Sequence, residues 1–268
     1  TGQNSAINRR ILKDSVIELF KDDSDIALLY FSGHGYIESI GGYLITSESR
    51  DGDDGFSLSE LLTIMNSSPA KNKIVILDSC HSGIVGTPNL EDNKAVINEG
   101  VTILAASGAE QYAVEEHGRG IFTTLLVDAL NGSASNLMGD VTPGSVYAHI
   151  DQSLGPWEQR PIFKTNVKNF VTLRKTHPSI SLVDIVKITD LFVEPHVEHP
   201  LDTSYEPDCS DASVENVNKF KILQKYSRLN LVVPVGEEHM YYAAINSKSC
   251  RLTPLGVHYW TLVSNGRL

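Results

Sequence analysis

Three short runs of almost uninterrupted apolar residues constrain this chain more than any other feature: "IALLYF" ending at Phe31, "KIVIL" running into Asp78, and "VTILAAS" over 101–107. A strand with one wet face alternates apolar and polar residues, so continuous runs of this length need cover on both faces. The cover is written between them. Leu12, Val16, Leu19 and Phe20 recur at helical spacing in 7–20, and further helical patterns occupy 57–66, with Ser57 as a cap, and 120–130. Thr142 with Pro143 opens another helix through about Leu154, and "NFVTLR" (169–174) reads as a last strand. Alternating helices and buried strands specify an α/β domain with a mainly parallel sheet flanked by helices.

Charge and cysteine content narrow the class of partner. The chain of 268 residues has 33 acidic and 22 basic side chains, a net charge of −11, which argues against nucleic acid or an anionic membrane as its partner. Cys80, Cys209 and Cys250 are odd in number and far apart, so neither a disulfide framework nor a zinc cluster is indicated. A reducing, cytoplasmic setting is expected. No apolar run approaches the roughly 20 residues of a membrane span.

Composition shifts after residue 174. Between 175 and 213, four prolines are spaced among eight Asp and Glu residues, which reads as an acidic surface connector, with a short helix or edge strand as the alternative for "SLVDIVKITDLFV". Residues 214–268 then hold three short helical patterns, the last capped by Thr253, started by Pro254 and stopped by Gly266, with Leu255, Tyr259, Leu262 and Val263 on one face. This is expected to be a small helical, winged-helix-like accessory domain. Tyr241, Tyr242, Tyr259 and Trp260 exceed the needs of so small a core, so a protein partner is expected on 214–268.

Reactive side chains follow two of the strands. "IALLYF" runs into "SGHG", placing His34 just past one strand, and "KIVIL" runs into "DSCHSG", placing Cys80 just past another. Open parallel sheets collect their chemistry at these carboxyl ends. If the two strands are neighbours, imidazole and thiol face one another, and an imidazolium lowers a thiol pKa from about 8.5 toward neutrality. The glycines beside His34 let a peptide backbone approach closely, and the N–H groups of Gly35 and Cys80 can point at a developing oxyanion. His81 is next to the thiol in sequence, but neighbours on an extended chain point to opposite sides. Asp78, two residues before Cys80, projects to the same side as the thiol.

"FSGHG" followed after 46 residues (80 − 34) by the cysteine of "DSCHSG" resembles the caspase and metacaspase superfamily of cysteine endopeptidases. The likeness continues through "GGYLITSES", "GIFTTLLVDALNG" and "QRPIFKTN" and covers roughly residues 5–174. It implies a caspase-like catalytic domain over 1–174, with the family's first strand and helix preceding Thr1. It implies His34 as general base and acid, Cys80 as nucleophile, and Gly35 and Cys80 as oxyanion donors.

Caspases that cut after aspartate carry Gln-Ala-Cys at the nucleophile, whereas this chain has Asp-Ser-Cys. The departure resembles the metacaspases of the prokaryotic branch, which cut after Arg or Lys, and it implies that Asp78 and Glu110 line the pocket for that basic residue. The family often needs calcium, and Asp51, Asp53 and Asp54 offer hard oxygen ligands, but they stand in a Gly-rich turn away from the family's calcium position, so neither a cofactor nor a metal is expected. The resulting expectation is a regulated prokaryotic signalling or defence endopeptidase. The alternative is a caspase-like scaffold that binds peptides without cutting them.

Overall fold

In the computed structural model of the chain, which describes residues 6–38, 41–50, 54–79, 96–107, 115–116, 119–154 and 160–268, the run ending at Asp78 lies inside the main sheet. In chain order the first unit contains α1 (Arg9–Phe20), β1 (Ile26–Ser32), β2 (Gly35–Glu38), β3 (Gly41–Leu44), β4 (Phe56–Ser57), α2 (Leu58–Ser67), β5 (Asn72–Asp78) and β6 (Val101–Ala105). It continues with β7 (Glu115–Glu116), β8 (Arg119–Gly120), α3 (Ile121–Asp128), β9 (Asp140–Val141), α4 (Pro143–Ser153), β10 (Ile162–Asn166) and β11 (Arg174–Lys175). Among the described residues the main sheet has the order β1-β5-β6-β10. The first three strands are parallel and β10 is antiparallel to β6.

Side-chain alternation along β5 explains why its run is apolar throughout. Val75 and Leu77 enter a core that also holds Leu12, Val16 and Phe20 of α1 and Leu61 and Met65 of α2. Ile74 and Ile76 enter a second core with Phe122 and Leu126 of α3 and Val146 and Ile150 of α4. The expected helix starts are present in part. Thr142 and Ser145 form a reciprocal capping box with Pro143 at the first helical position. Ser57 occupies its cap position, but its hydroxyl bonds to that of Ser59 at 2.7 Å. The expected last strand at 169–174 is corrected to Ile162–Asn166, an edge strand with just two apolar residues, while Arg174 and Lys175 pair with Val141 and Asp140.

The chain divides into two units, Thr1–Ser135 with Asp140–Thr176, and Asn136–Gly139 with His177–Leu268. The second contains α5 (Leu182–Ile185), α6 (Ile188–Leu191), β12 (His199–Pro200), α7 (Val214–Arg228), β13 (Val232–Val235), α8 (Met240–Ile245), β14 (Ser249–Leu252) and α9 (Pro254–Ser264). The structure corrects the reading of 175–213 as a connector. Ile180, Ile185, Ile188, Leu191, Phe192, Leu201 and Tyr205 are buried in one cluster with Phe220, Leu223 and Tyr226 of α7. Proline and acid content suggested a linker, but the apolar residues between them satisfy a core.

The unit is also mixed rather than purely helical. Its antiparallel sheet runs β12-β14-β13, and α8 connects β13 to β14 where a tight hairpin would make a wing. On α9, Tyr259, Trp260, Val257 and Val263 pack against the core, Trp260 donates to the Phe192 carbonyl at 2.6 Å, and Leu255 is exposed instead of facing inward. Tyr241 and Tyr242 remain 49% exposed each, so two of the four expected anchors are available at the surface and two are core. No described helix is long and apolar enough to cross a membrane.

Glu206, at the end of the turn after β12, is 8% exposed, and its buried Oε1 has no hydrogen-bond partner. Burial, with Asp208 adding to it, raises its pKa above the usual carboxylate range. The protonated acid therefore favours the fold, and that contribution is lost as pH rises through the raised pKa. Glu206→Gln is expected to increase stability by about 1 kcal/mol at pH 7, with the gain vanishing near pH 4. Thermal unfolding of both proteins at the two pH values measures it; an equal or lower stability of the variant at pH 7 contradicts the assignment.

Candidate functional site

The register of the parallel pair β1–β5 places Ser32 opposite Asp78. His34 stands two residues beyond Ser32, and Cys80 two residues beyond Asp78 in sequence. The two strands are thus neighbours that end at one level. The pairing extends past β1, because the Gly33 N–H donates to the Asp78 carbonyl at 3.1 Å. On the other side of β5, the Ala106 N–H donates to the Leu77 carbonyl at 2.8 Å and the Ser107 hydroxyl to the Ser79 carbonyl at 3.5 Å. The chain is held from both sides up to Ser79.

His34 joins β1 to β2, and its backbone is fixed while its side chain is exposed. Its carbonyl accepts from the Ile45 N–H at 2.9 Å, one residue beyond the register pair Gly35–Leu44. Antiparallel ladders alternate, so the Gly35 N–H is turned away from β3. A Cβ on Gly33 would stand 3.1 Å from the Phe31 ring, so the ring fills the space that a side chain there would need. Cys80, His81, Glu110, Asp51 and Asp53 lie outside the described residues. Asp54 accepts the Arg50 N–H at 2.8 Å, and among the described residues no group of three or more His, Cys, Asp or Glu side chains is placed to hold a metal ion.

Asp78 lies on the α3 side of the sheet, sharing the face of Ile74 and Ile76, and is 8% exposed. The Thr123 hydroxyl, in the first turn of α3, donates to Asp78 Oδ2. Tyr30 of β1 lies 2.7 Å from the same hydroxyl. Gly120 caps α3 against the carboxylate: a Cβ there would come within 2.9 Å of Oδ2. The positive end of α3 adds a favourable field for the anion. Sequence reasoning singled out Asp78 but missed Tyr30, Thr123 and Gly120. The signal for Tyr30 was its place in β1, four residues before His34; Thr123 carried no local signal, since its partner is 45 residues away.

The family model described as "Caspase domain" matches residues 5–176. A comparison with curated proteins gives no match. Among solved structures, the chain is similar to a crystal structure of a protein from Geobacter sulfurreducens, with 18% identity, a TM-score of 0.44, and coverage of 62% of this chain and 77% of that one.

The close approach of α3 to Asp78 gives a direct expectation. Gly120→Ala forces the carboxylate or the helix start to shift and is expected to lower stability by about 1–3 kcal/mol. Urea unfolding of the variant reads this; unchanged stability would show that the gap tolerates a methyl group.

Proposed function

Because the chain belongs to the caspase-domain family of cysteine peptidases, we propose that it is an endopeptidase in which His34 and Cys80 form the catalytic dyad and Asp78 selects Arg or Lys before the scissile bond. The observation that carries this reading is the register of Ser32 with Asp78. It sets side by side, at the same level, the ends of the two strands that His34 and Cys80 follow in sequence. In the proposed reaction His34 takes the Cys80 proton, the thiolate attacks the scissile carbonyl, and the oxyanion is stabilised by the N–H groups of Gly35 and Cys80. His34 then gives its proton to the leaving amine, and water hydrolyses the thioester. The orientation of the Gly35 N–H away from β3 supports its part in this step.

The burial of Asp78 beside α3 supports a pocket in which a substrate cation meets a largely desolvated carboxylate, where charge-assisted pairing is strongest. Glu110 is proposed as a second acidic group of that pocket by resemblance alone. The second unit is proposed as a module that binds a protein partner through Tyr241 and Tyr242, whose rings pack edge to face with centroids 5.3 Å apart. A signalling or defence role in a prokaryotic cytoplasm is the setting that the resemblance suggests.

Cys80→Ala and His34→Ala are each expected to reduce peptide cleavage by at least about 1000-fold with the fold intact, whereas His81→Ala changes it by less than about tenfold. Steady-state cleavage of Arg, Lys and Asp peptides by the three variants measures this. Near-native turnover by either of the first two overturns the dyad, and the inactive-scaffold reading gains if the native chain cuts none of the peptides. Asp78→Asn is expected to lose the basic preference; efficient native cleavage after Asp contradicts the proposed pocket.

A further inference from the structure

Asp78 is not held by backbone alone. A carboxylate only accepts hydrogen bonds, so the Thr123 hydroxyl spends its one proton on Asp78 Oδ2. The 2.7 Å contact between Thr123 and Tyr30 is then oriented, since Tyr30 is left as the donor to Thr123 Oγ1. Tyr30, Thr123 and Asp78 form a directed chain from β1, across α3, to the carboxylate at the end of β5. Gly120 closes the space beside Oδ2. With Oδ2 held by the Thr123 hydroxyl and crowded by Gly120 at the start of α3, the carboxylate has a fixed plane.

A fixed plane matters unequally to the two basic side chains. The guanidinium is planar and pairs with a carboxylate through two parallel bonds, so it gains most from a partner already oriented. An ammonium is a compact charge with rotatable donors and tolerates a range of carboxylate orientations. Thr123's bond to Oδ2 does not exclude this pairing, because each carboxylate oxygen accepts more than one hydrogen bond.

We propose that Thr123, oriented by Tyr30, is a positioning residue that fixes the Asp78 carboxylate and thereby favours Arg over Lys before the scissile bond. The inference rests on the reading of Asp78 as the residue that meets the substrate cation. It deepens that reading by assigning the choice between the two basic side chains to a hydroxyl that touches no substrate.

The test compares kcat and KM of the full chain for three peptides that differ solely before the scissile bond: Arg, Lys, and citrulline as the neutral isostere of Arg. Thr123→Val is expected to raise KM for the Arg peptide about tenfold and for the Lys peptide by no more than about threefold, while kcat and the citrulline peptide stay unchanged. Thr123→Ser restores the native values, and Tyr30→Phe moves the Arg:Lys ratio the same way by a smaller factor. A general loss of packing would lower cleavage of all three peptides together. An Arg:Lys ratio of kcat/KM within about twofold of native in Thr123→Val overturns the proposal. If Thr123→Val does not fold, Tyr30→Phe decides, since Tyr30 is 41% exposed and loses just a hydroxyl; an unchanged ratio there overturns it equally. Asp78→Asn separates the two levels. If Asp78→Asn keeps the native preference among the three peptides, the reading of Asp78 is wrong and the proposal falls with it. If Asp78→Asn loses that preference while Thr123→Val retains it, the fault lies with the role given to Thr123 alone.

Discussion

The parallel register of β1 on β5 is the constraint on which the rest of the structure depends. Both faces of β5 are apolar, so hydrophobicity alone does not penalise a slip of one residue. Backbone bonds hold the observed register, from Gly33 to the Asp78 carbonyl on one side and from Ala106 to the Leu77 carbonyl on the other, but they are the same in kind whatever the side chains. Side-chain parity supplies the specification. In the observed register Asp78 meets a helix start with a hydroxyl to receive it, whereas a slip would turn the carboxylate into the core of α1 and α2, where burial without partners costs several kcal/mol.

The two faces of the sheet are covered by cores of different character. The α1–α2 face is filled by aliphatic and aromatic side chains and fixes the strands in place. The α3–α4 face is apolar along most of its length but becomes polar at the carboxyl end of the strands, where Tyr30, Thr123 and Asp78 connect. A charged group is tolerated there because the helix start and the hydroxyl offset its desolvation. A buried strand that ends in an aspartate is therefore consistent with a well-packed sheet.

Much of the fold was legible because its signals are local. Continuous apolar runs marked β1, β5 and β6, although Ile26, Leu28 and Tyr30 of β1 are exposed rather than covered; helical spacing marked α1 and α2, and Thr142–Pro143 and Thr253–Pro254 marked helix starts that the structure contains. The second unit was less legible because its core is assembled from distant short pieces. Phe192 and Trp260 are 68 residues apart, and nothing near either one announces the bond between them. The prolines and acids of 175–213 describe its surface, while of the seven apolar residues that join the core just Ile185, Ile188, Leu191 and Phe192 stand at helical spacing, over too short a stretch to outweigh that composition. At the candidate site, His34 and Asp78 were readable from strand ends and motif, and Thr123 was not, since a helix residue that turns toward a sheet carboxylate has the same sequence signature as one that faces solvent.

The central claim is that the imidazole of His34 acts on the thiol of Cys80, and the pH dependence of alkylation at Cys80 tests it most directly. The other two cysteines make the readout selective: burial pushes the Cys250 thiol up to about 12, and burial with nearby acids raises that of Cys209. Iodoacetamide labelling across pH 5–9, with the modified residue located by peptide mass spectrometry, separates the three. The account predicts labelling of Cys80 well below the ordinary thiol pKa of about 8.5 in the native chain, and a return to an ordinary thiol profile in His34→Ala. An identical profile for Cys80 in both proteins would contradict it.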